Sequence, residues 1–514
     1  MFLIAAITAV SSLSLLIVYR LHFHPLAKYP GPLVGRITDW YSVYHCFTGD
    51  RHLDFVHLHA KYGHVVRYGP NRLSFSTTEA LQAIYGSRAN TKKSFWYEAM
   101  LLFMKVPSTH ATIDKSQHSR KRRILSRALS DRMMPVYESG FLQLLDEFLK
   151  RFEPSSTLNN PGLSPAFDIS REFTLFNFDS MGQFCFGESF GSLQNPKNAM
   201  IVEKTHEGFR GLNAIGYMPG LSWLQLDALM YKTKRILAEY EAYAAALSRK
   251  CIQRSDQSTE KTGQSRCVFD ILYSISNQPG ADGFSLPELQ SESSLLVTTG
   301  TDTTAGALSN LMFHLLNNPE TMTRLTEEIR SSFSDISEIR MGATLNSCEY
   351  LAACIDESLR LSPVIGGCLM REILSGGMKI DGDQIPQGID VGVPHHVIMR
   401  SPDYYDSPWE YWPQRWMSSE TPEDRIQRAR AAFCPFGIGT TGCVGRKWAL
   451  IEMQLTIARL LFRFDINMIM PETGKGLSAT ERLRIREQKE LDWFVVSTTG
   501  PMLKFQLAKT SKGS

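Results

Sequence analysis

The stretch from Cys434 to Gln454 reads CPFGIGTTGCVGRKWALIEMQ. It sets one cysteine, Cys443, among four glycines, Gly437, Gly439, Gly442 and Gly445, with Phe436 leading. An apolar-periodic run follows, Trp448, Ala449, Ile451, Met453, Leu455, Ile457 and Leu460, and predicts a helix that starts just after the cysteine. A thiolate at a helix N-terminus is stabilised by unpaired N–H groups and by the positive end of the dipole. Glycines let the backbone approach a large flat ligand and adopt turns with positive φ. A single thiolate presented this way suits an axial ligand to haem iron better than a zinc site, which needs three or four ligands. The same residues also fit a buried structural cysteine beside a glycine-rich turn, and the segment alone leaves both readings open.

The segment resembles the haem-binding loop of the cytochromes P-450, whose pattern is Phe-x-x-Gly-x-Arg/His-x-Cys-x-Gly. Phe436, Gly439, Cys443 and Gly445 fit, and Thr441 stands where the family has its basic residue. In the family that residue helps to hold a haem propionate. The resemblance therefore implies haem b (iron protoporphyrin IX) as cofactor, Cys443 as its axial iron ligand and Phe436 as a further contact. One propionate donor is missing from the loop.

The chain has 514 residues, 43% hydrophobic and 21% charged, with a formal net charge of +3. That is an ordinary globular composition with a full core, and the near-neutral balance gives no strong pull toward nucleic acid. Nine cysteines at irregular spacings, with no C-x-x-C pair, argue against a disulfide framework, a zinc ribbon or thioredoxin chemistry. The thiols read as reduced, which points to the cytosolic side of a membrane.

Phe2 to Tyr19, FLIAAITAVSSLSLLIVY, carries no charge. As a helix it spans about 27 Å, enough for a thin bilayer. Arg20 stops it, and Lys28 and Arg36 follow, so the basic flank places the rest of the chain in the cytosol. A cleaved signal peptide is the alternative, but the run lacks a basic start and a small-x-small site before Arg20. Residues 1–20 are read as a single-pass anchor in the endoplasmic reticulum membrane. Residues 21–50 are read as a proline-rich hinge and linker, stiffened by Pro25, Pro30 and Pro32. Residues 51–510 are read as one large catalytic domain. The expected fold is mainly α with small β-sheets.

Along that domain, Val65–Thr77 alternates around a Gly-Pro-Asn turn and predicts a β-hairpin. Residues 116–129, 141–152 and 230–251 predict helices, 255–266 an exposed polar loop, and 378–393 short strands. The longest helix candidate runs from Ser285 to Asn318. Ser285 and Glu288 form a capping box with Pro287 in the first turn, and Pro319 closes it. In its middle, TTGTDTT (298–304) interrupts an apolar stretch. Two helices with a turn at Gly300, capped by Asp302, are one reading, because threonine and glycine are poor helix formers. The other is a groove where O2, water and a proton relay lie against a cofactor. The stretch resembles the family's oxygen-activation motif, which assigns proton handling to Asp302 and Thr303.

Glu357 and Arg360 lie one helical turn apart, and Trp412-Pro-Gln-Arg415-Trp416 follows later. A bare Glu-x-x-Arg is most often an exposed pair worth a few tenths of a kcal/mol. In this order the segments resemble the family's buried triad, so Glu357, Arg360 and Arg415 are assigned to structure. The segment Asp114–Ile124 holds Arg120, Lys121, Arg122 and Arg123, which read either as a solvated basic face or as cofactor donors. His118 and Arg122, one turn apart, match the family's propionate ligands, and Arg371 resembles a third. The remaining cations, with Arg446 and Lys447, form a candidate docking face for an acidic redox partner.

Together the motifs resemble a fungal microsomal cytochrome P-450 monooxygenase of specialised metabolism. That resemblance implies O2 and electrons from NADPH, delivered by NADPH–cytochrome P-450 reductase, with cytochrome b5 as an optional second donor. It implies hydroxylation or another oxidation of a lipophilic small molecule such as a terpenoid, polyketide or alkaloid intermediate. Oxidative coupling, ring formation or desaturation on the same fold is an alternative, and a haem-binding sensor or carrier is one of another class. Substrate contacts are expected within 90–113, 208–226, 297–301, 364–370 and 496–500.

Overall fold

The computed structural model describes residues 1–102, 104, 106–154, 162–195, 197–198, 211–218, 231–257, 267–278, 282–469 and 490–508. Helices dominate, and the strands form small sheets. The apolar N-terminal helix Phe2–Val18 continues through a wider π-type turn, Tyr19–Phe23. Those 22 residues reach about 33 Å, slightly more than a hydrocarbon core. None of the apolar window is buried by the rest of the chain. The hydroxyls of Thr8 and Ser14 are satisfied inside the helix, donating to the carbonyls of Ile4 and Val10 at 2.9 Å each.

The helix end is clasped by the domain. Arg67, fully buried, donates to the Arg20 carbonyl at 2.8 Å, and Arg36 to the Leu21 carbonyl at 3.1 Å. The segment that follows is extended around Pro32 and then folds as Leu33–Ile37 and Trp40–Thr48. Leu26 and Tyr29 are buried against the main sheet.

The main sheet has five strands in the order Val65–Gly69, Arg72–Phe75, Asp390–Gly392, Arg371–Ile373, Thr91–Lys93. The first two form the hairpin expected at 65–77. Short strands Met378–Ile380 and Asp383–Ile385, within the stretch expected as short strands, pair as a second hairpin. The predicted helices appear as Lys115–Ala128, Met134–Lys150 and Tyr231–Gln257. The last of these takes in 255–257, the start of the stretch expected as a loop; 258–266 lies outside the described residues.

The central helix, Leu286–Asn317, is unbroken and carries the Ser285–Glu288 capping box. It does not turn at Gly300. Thr298, Thr299, Thr301 and Thr303 each donate to the carbonyl four residues back, at 2.9, 2.7, 2.7 and 2.5 Å. Such back-bonding satisfies the hydroxyls but competes for the backbone carbonyls and slightly weakens a helix, and this one nevertheless runs through unbroken. Gly300 serves helix packing instead, since a Cβ there would stand 2.4 Å from the Met181 sulfur. Its absence lets the central helix close onto Ile169–Phe186, and together with Arg446–Arg463 these helices form the largest apolar core.

Candidate active site

Cys443, Phe436, His118, Arg122, Arg371, Asp302 and Thr303 border one cavity of about 350 Å³. Cys443 ends a tight loop, its N–H donating to the Phe436 carbonyl at 2.8 Å. The helix after it starts at Arg446. All nine cysteines are free; Cys443 is exposed and the other eight are buried. Its surroundings push the thiol up, while the N–H groups of Gly445 and Arg446 and the charge of Arg122 pull it back. Two of the four glycines meet a backbone demand: Gly437 and Gly439 have φ of +64° and +68°. A Cβ on Gly439 would also lie 2.0 Å from the Tyr85 carbonyl oxygen. Gly442 and Gly445 have ordinary negative φ and serve by lacking bulk.

One rim of the cavity is basic. Arg122 donates to the Gly442 carbonyl at 2.6 Å, directly on the cysteine loop. Arg371 donates to the Thr441 hydroxyl at 2.9 Å and to the Tyr97 hydroxyl at 3.2 Å. His118 sits beside them, and burial with Lys93, Arg122 and Arg371 pushes its imidazole down to about 4. Sequence reasoning missed Lys93. It stands in register with Arg371 across the edge strand pair and donates to the carbonyls of Thr109 and His110, both at 2.8 Å. An ammonium has three donors, so one is left for the cavity that Lys93 borders. Burial and the charges of Arg371 and Arg122 push its amine down to about 7.

This donor set fits a haem. Burial and the charges of Arg122 and Arg371 push down both Lys93 and His118, and like charges facing across strands are destabilising by themselves. A flat ligand with two carboxylates on one edge relieves that repulsion, and one cysteine sulfur opens on the same cavity.

The facing wall is the central helix, where Thr299 is exposed to the cavity and Thr303 half-buried. Asp302 is buried. Apolar lining comes from Met100, Leu212, Val364, Ile365 and Leu369, within the expected contact segments. Residues 208–210 and 219–226 of those segments lie outside the described residues. The C-terminal contact is shifted: Phe494 and Val495 reach the cavity rather than 496–500, because they form the turn of a hairpin between Leu491–Asp492 and Val496–Ser497.

The triad lies away from the cavity. Glu357 is fully buried and accepts five hydrogen bonds: from Arg360 Nε at 2.9 Å and Nη2 at 2.8 Å, Arg415 Nε at 3.0 Å, Trp412 N–H at 2.9 Å and Trp416 Nε1 at 3.0 Å. The basic run 120–123 is not a single solvated face. Lys121 is buried, bonded to the Pro107 carbonyl and 3.3 Å from Glu288. Arg120 pairs with Glu288. Arg123, Arg446 and Lys447 are exposed.

The cytochrome P450 family model matches residues 25–488, and the chain belongs to that family. It is 32% identical to the cytochrome P450 monooxygenase apf7 of Gibberella fujikuroi, over 98% of this chain and 97% of that one. It is 35% identical to the monooxygenase atnE of Emericella nidulans, over 88% of each. The averantin hydroxylase of Dothistroma septosporum is 32% identical over 89% of this chain and 83% of its own. The protein is therefore an oxidoreductase of the haem-thiolate monooxygenase class, similar to fungal enzymes of secondary metabolism.

Proposed function

We propose that the protein is anchored in the endoplasmic reticulum with its catalytic domain in the cytosol. There it hydroxylates a lipophilic secondary-metabolite intermediate. The observation that carries this reading is that Cys443 and the threonine-rich turn of the central helix border the same cavity. When bound, haem supplies the activation of O2. The chain's own residues do the rest. Cys443 would hold the iron, and the N–H groups of Gly445 and Arg446 favour its charged form against the push of burial. Lys93, His118, Arg122 and Arg371 hold the ring's carboxylates, which makes up for the basic residue that Thr441 replaces. Glu357, Arg360 and Arg415 brace the core.

Thr303 spends its hydrogen on the Thr299 carbonyl. Its remaining lone pair accepts from a water in the cavity, and rotation of the hydroxyl passes a proton onward. Asp302, one residue before it, resupplies that proton. Met100, Leu212, Ile365 and Phe494 exclude bulk water and orient an apolar substrate. Electrons come from NADPH through NADPH–cytochrome P-450 reductase, with cytochrome b5 as a second donor. They enter beside the cysteine loop, where Arg446 and Lys447 are exposed.

The test is reconstitution of the purified protein with the reductase in lipid vesicles, with product searched in extracts of the source organism. Averantin, named by one relative, joins the trial panel. NADPH-dependent oxygen incorporation into one metabolite is expected. Reductase-supported electron uptake with no oxidised product from any extract contradicts the reading.

A further inference from the structure

We propose that His52, His396 and Glu490 form a binding site for a zinc-like divalent ion, separate from the catalytic cavity. His52 lies on the helix Arg51–Tyr62, His396 on the short helix His395–Ile398, and Glu490 just before the C-terminal hairpin. One ligand atom from each falls within 4.8 Å of the others. The two imidazoles are 1% and 2% exposed, and the Nδ1 of each is buried with no hydrogen-bond partner. Buried polar atoms without partners are rare, and a ring flip that exchanges the Nδ1 and Nε2 sides of His52 turns its unpartnered nitrogen toward Glu490. The rings meet edge to face at 4.8 Å, and the His52 Nε2 lies 4.0 Å from a Glu490 carboxylate oxygen.

The backbone is built to let the two rings approach. A Cβ on Gly366 would stand 2.8 Å from the Cβ of His52, and the Gly366 carbonyl accepts the His396 N–H at 3.0 Å. Two cations face the site. Arg51 is already held by both oxygens of Asp492, at 3.2 and 3.1 Å. Arg400 lies over the Trp409 ring at 5.5 Å and is the competing cation for Glu490.

Two imidazoles and a carboxylate are a zinc donor set with a fourth position for water. Zinc–ligand bonds of about 2.0–2.2 Å require the three groups to draw in by side-chain rotation. Glu490, at the partly exposed edge, gives an entry path. Such an ion ties the first helices of the domain to the hairpin whose turn, Phe494 and Val495, walls the substrate cavity.

The test uses full-length holoenzyme in detergent, treated with a chelator and titrated with zinc sulfate. Bound metal is counted against haem iron by elemental mass spectrometry after gel filtration. One zinc per chain is expected, with a melting temperature that rises with zinc concentration. His396→Ala and Glu490→Gln each weaken zinc binding by at least about ten-fold, and His64→Ala, on the surface, leaves it unchanged. Glu490→Gln serves if His396→Ala does not fold. No zinc retained by the parent overturns the proposal, with Glu490 then serving Arg400 alone. Binding unchanged in Glu490→Gln and in any folded His396 variant overturns it as well.

Discussion

Lys93 stands in register with Arg371 across an antiparallel strand pair, two buried cations side by side. Arg371 reaches on to Thr441, the position where the family's loop has its basic residue. The pair is the proposed clamp for the ring's carboxylates. A charge-assisted hydrogen bond contributes about 1.5–3 kcal/mol, which is roughly ten- to a hundred-fold in affinity. Lys93→Met and Arg371→Ala should therefore lose haem faster than Arg127→Ala, a surface control, by that order. Transfer of haem to apomyoglobin measures it. Equal loss rates in all three would remove Lys93 and Arg371 from the cofactor site.

The Glu357 carboxylate takes five donors in a fully buried setting. Arg360 still pairs with Glu357 when Arg415 is removed, so the cost is that of one buried acceptor site left unfilled, about 1–3 kcal/mol. Arg415→Ala should sharply lower the urea midpoint and the yield of folded protein. A midpoint within the error of the parent would mean that the triad is not a brace.

The legibility of these features in the sequence followed their span along the chain. The Ser285–Glu288 capping box and the cysteine loop are each set by residues a few positions apart. Local chemistry is enough to read them. Lys93 was not legible because its place depends on pairing with a strand 278 residues later. Lys121 looked like its basic neighbours, and only packing against Pro107 and the central helix turns it inward. Whether the 298–304 cluster breaks its helix also depended on packing: Gly300 is there to admit Met181. The contacts at Phe494 and Val495 are offset from 496–500 because a hairpin turn, not its strand, faces the cavity.

Thr303 and Asp302 are proposed to hand protons into the cavity. Thr303→Ala should keep haem and substrate binding and raise the peroxide released per NADPH consumed, as proton delivery falls behind electron supply. Thr303→Ser, which keeps the hydroxyl, should restore coupling. Identical peroxide yields in parent and Thr303→Ala would end this role for the residue.

Burial pushes the Glu292 carboxyl up to about 7 from an ordinary 4.5. Between those values the folded chain holds a proton that the unfolded chain has released. Stability from this group is therefore full below 4.5 and falls as pH rises to about 7. Glu292→Gln removes that loss while still accepting from the Thr109 N–H. The melting temperature of the variant minus that of the parent should climb across pH 4.5 to 7. A difference that stays flat would show that the carboxyl does not titrate in this window.

The central claim is that Cys443 binds the haem iron. It is the cysteine that opens on the cavity, whereas Cys434, nine residues earlier, is buried and burial pushes its thiol up to about 12. The most direct measurement is the absorbance of the reduced carbon monoxide complex in Cys443→Ser and Cys434→Ser. The account predicts that Cys434→Ser keeps the band typical of thiolate-ligated haem and that Cys443→Ser loses it. A thiolate band that survives in Cys443→Ser and vanishes in Cys434→Ser would contradict it.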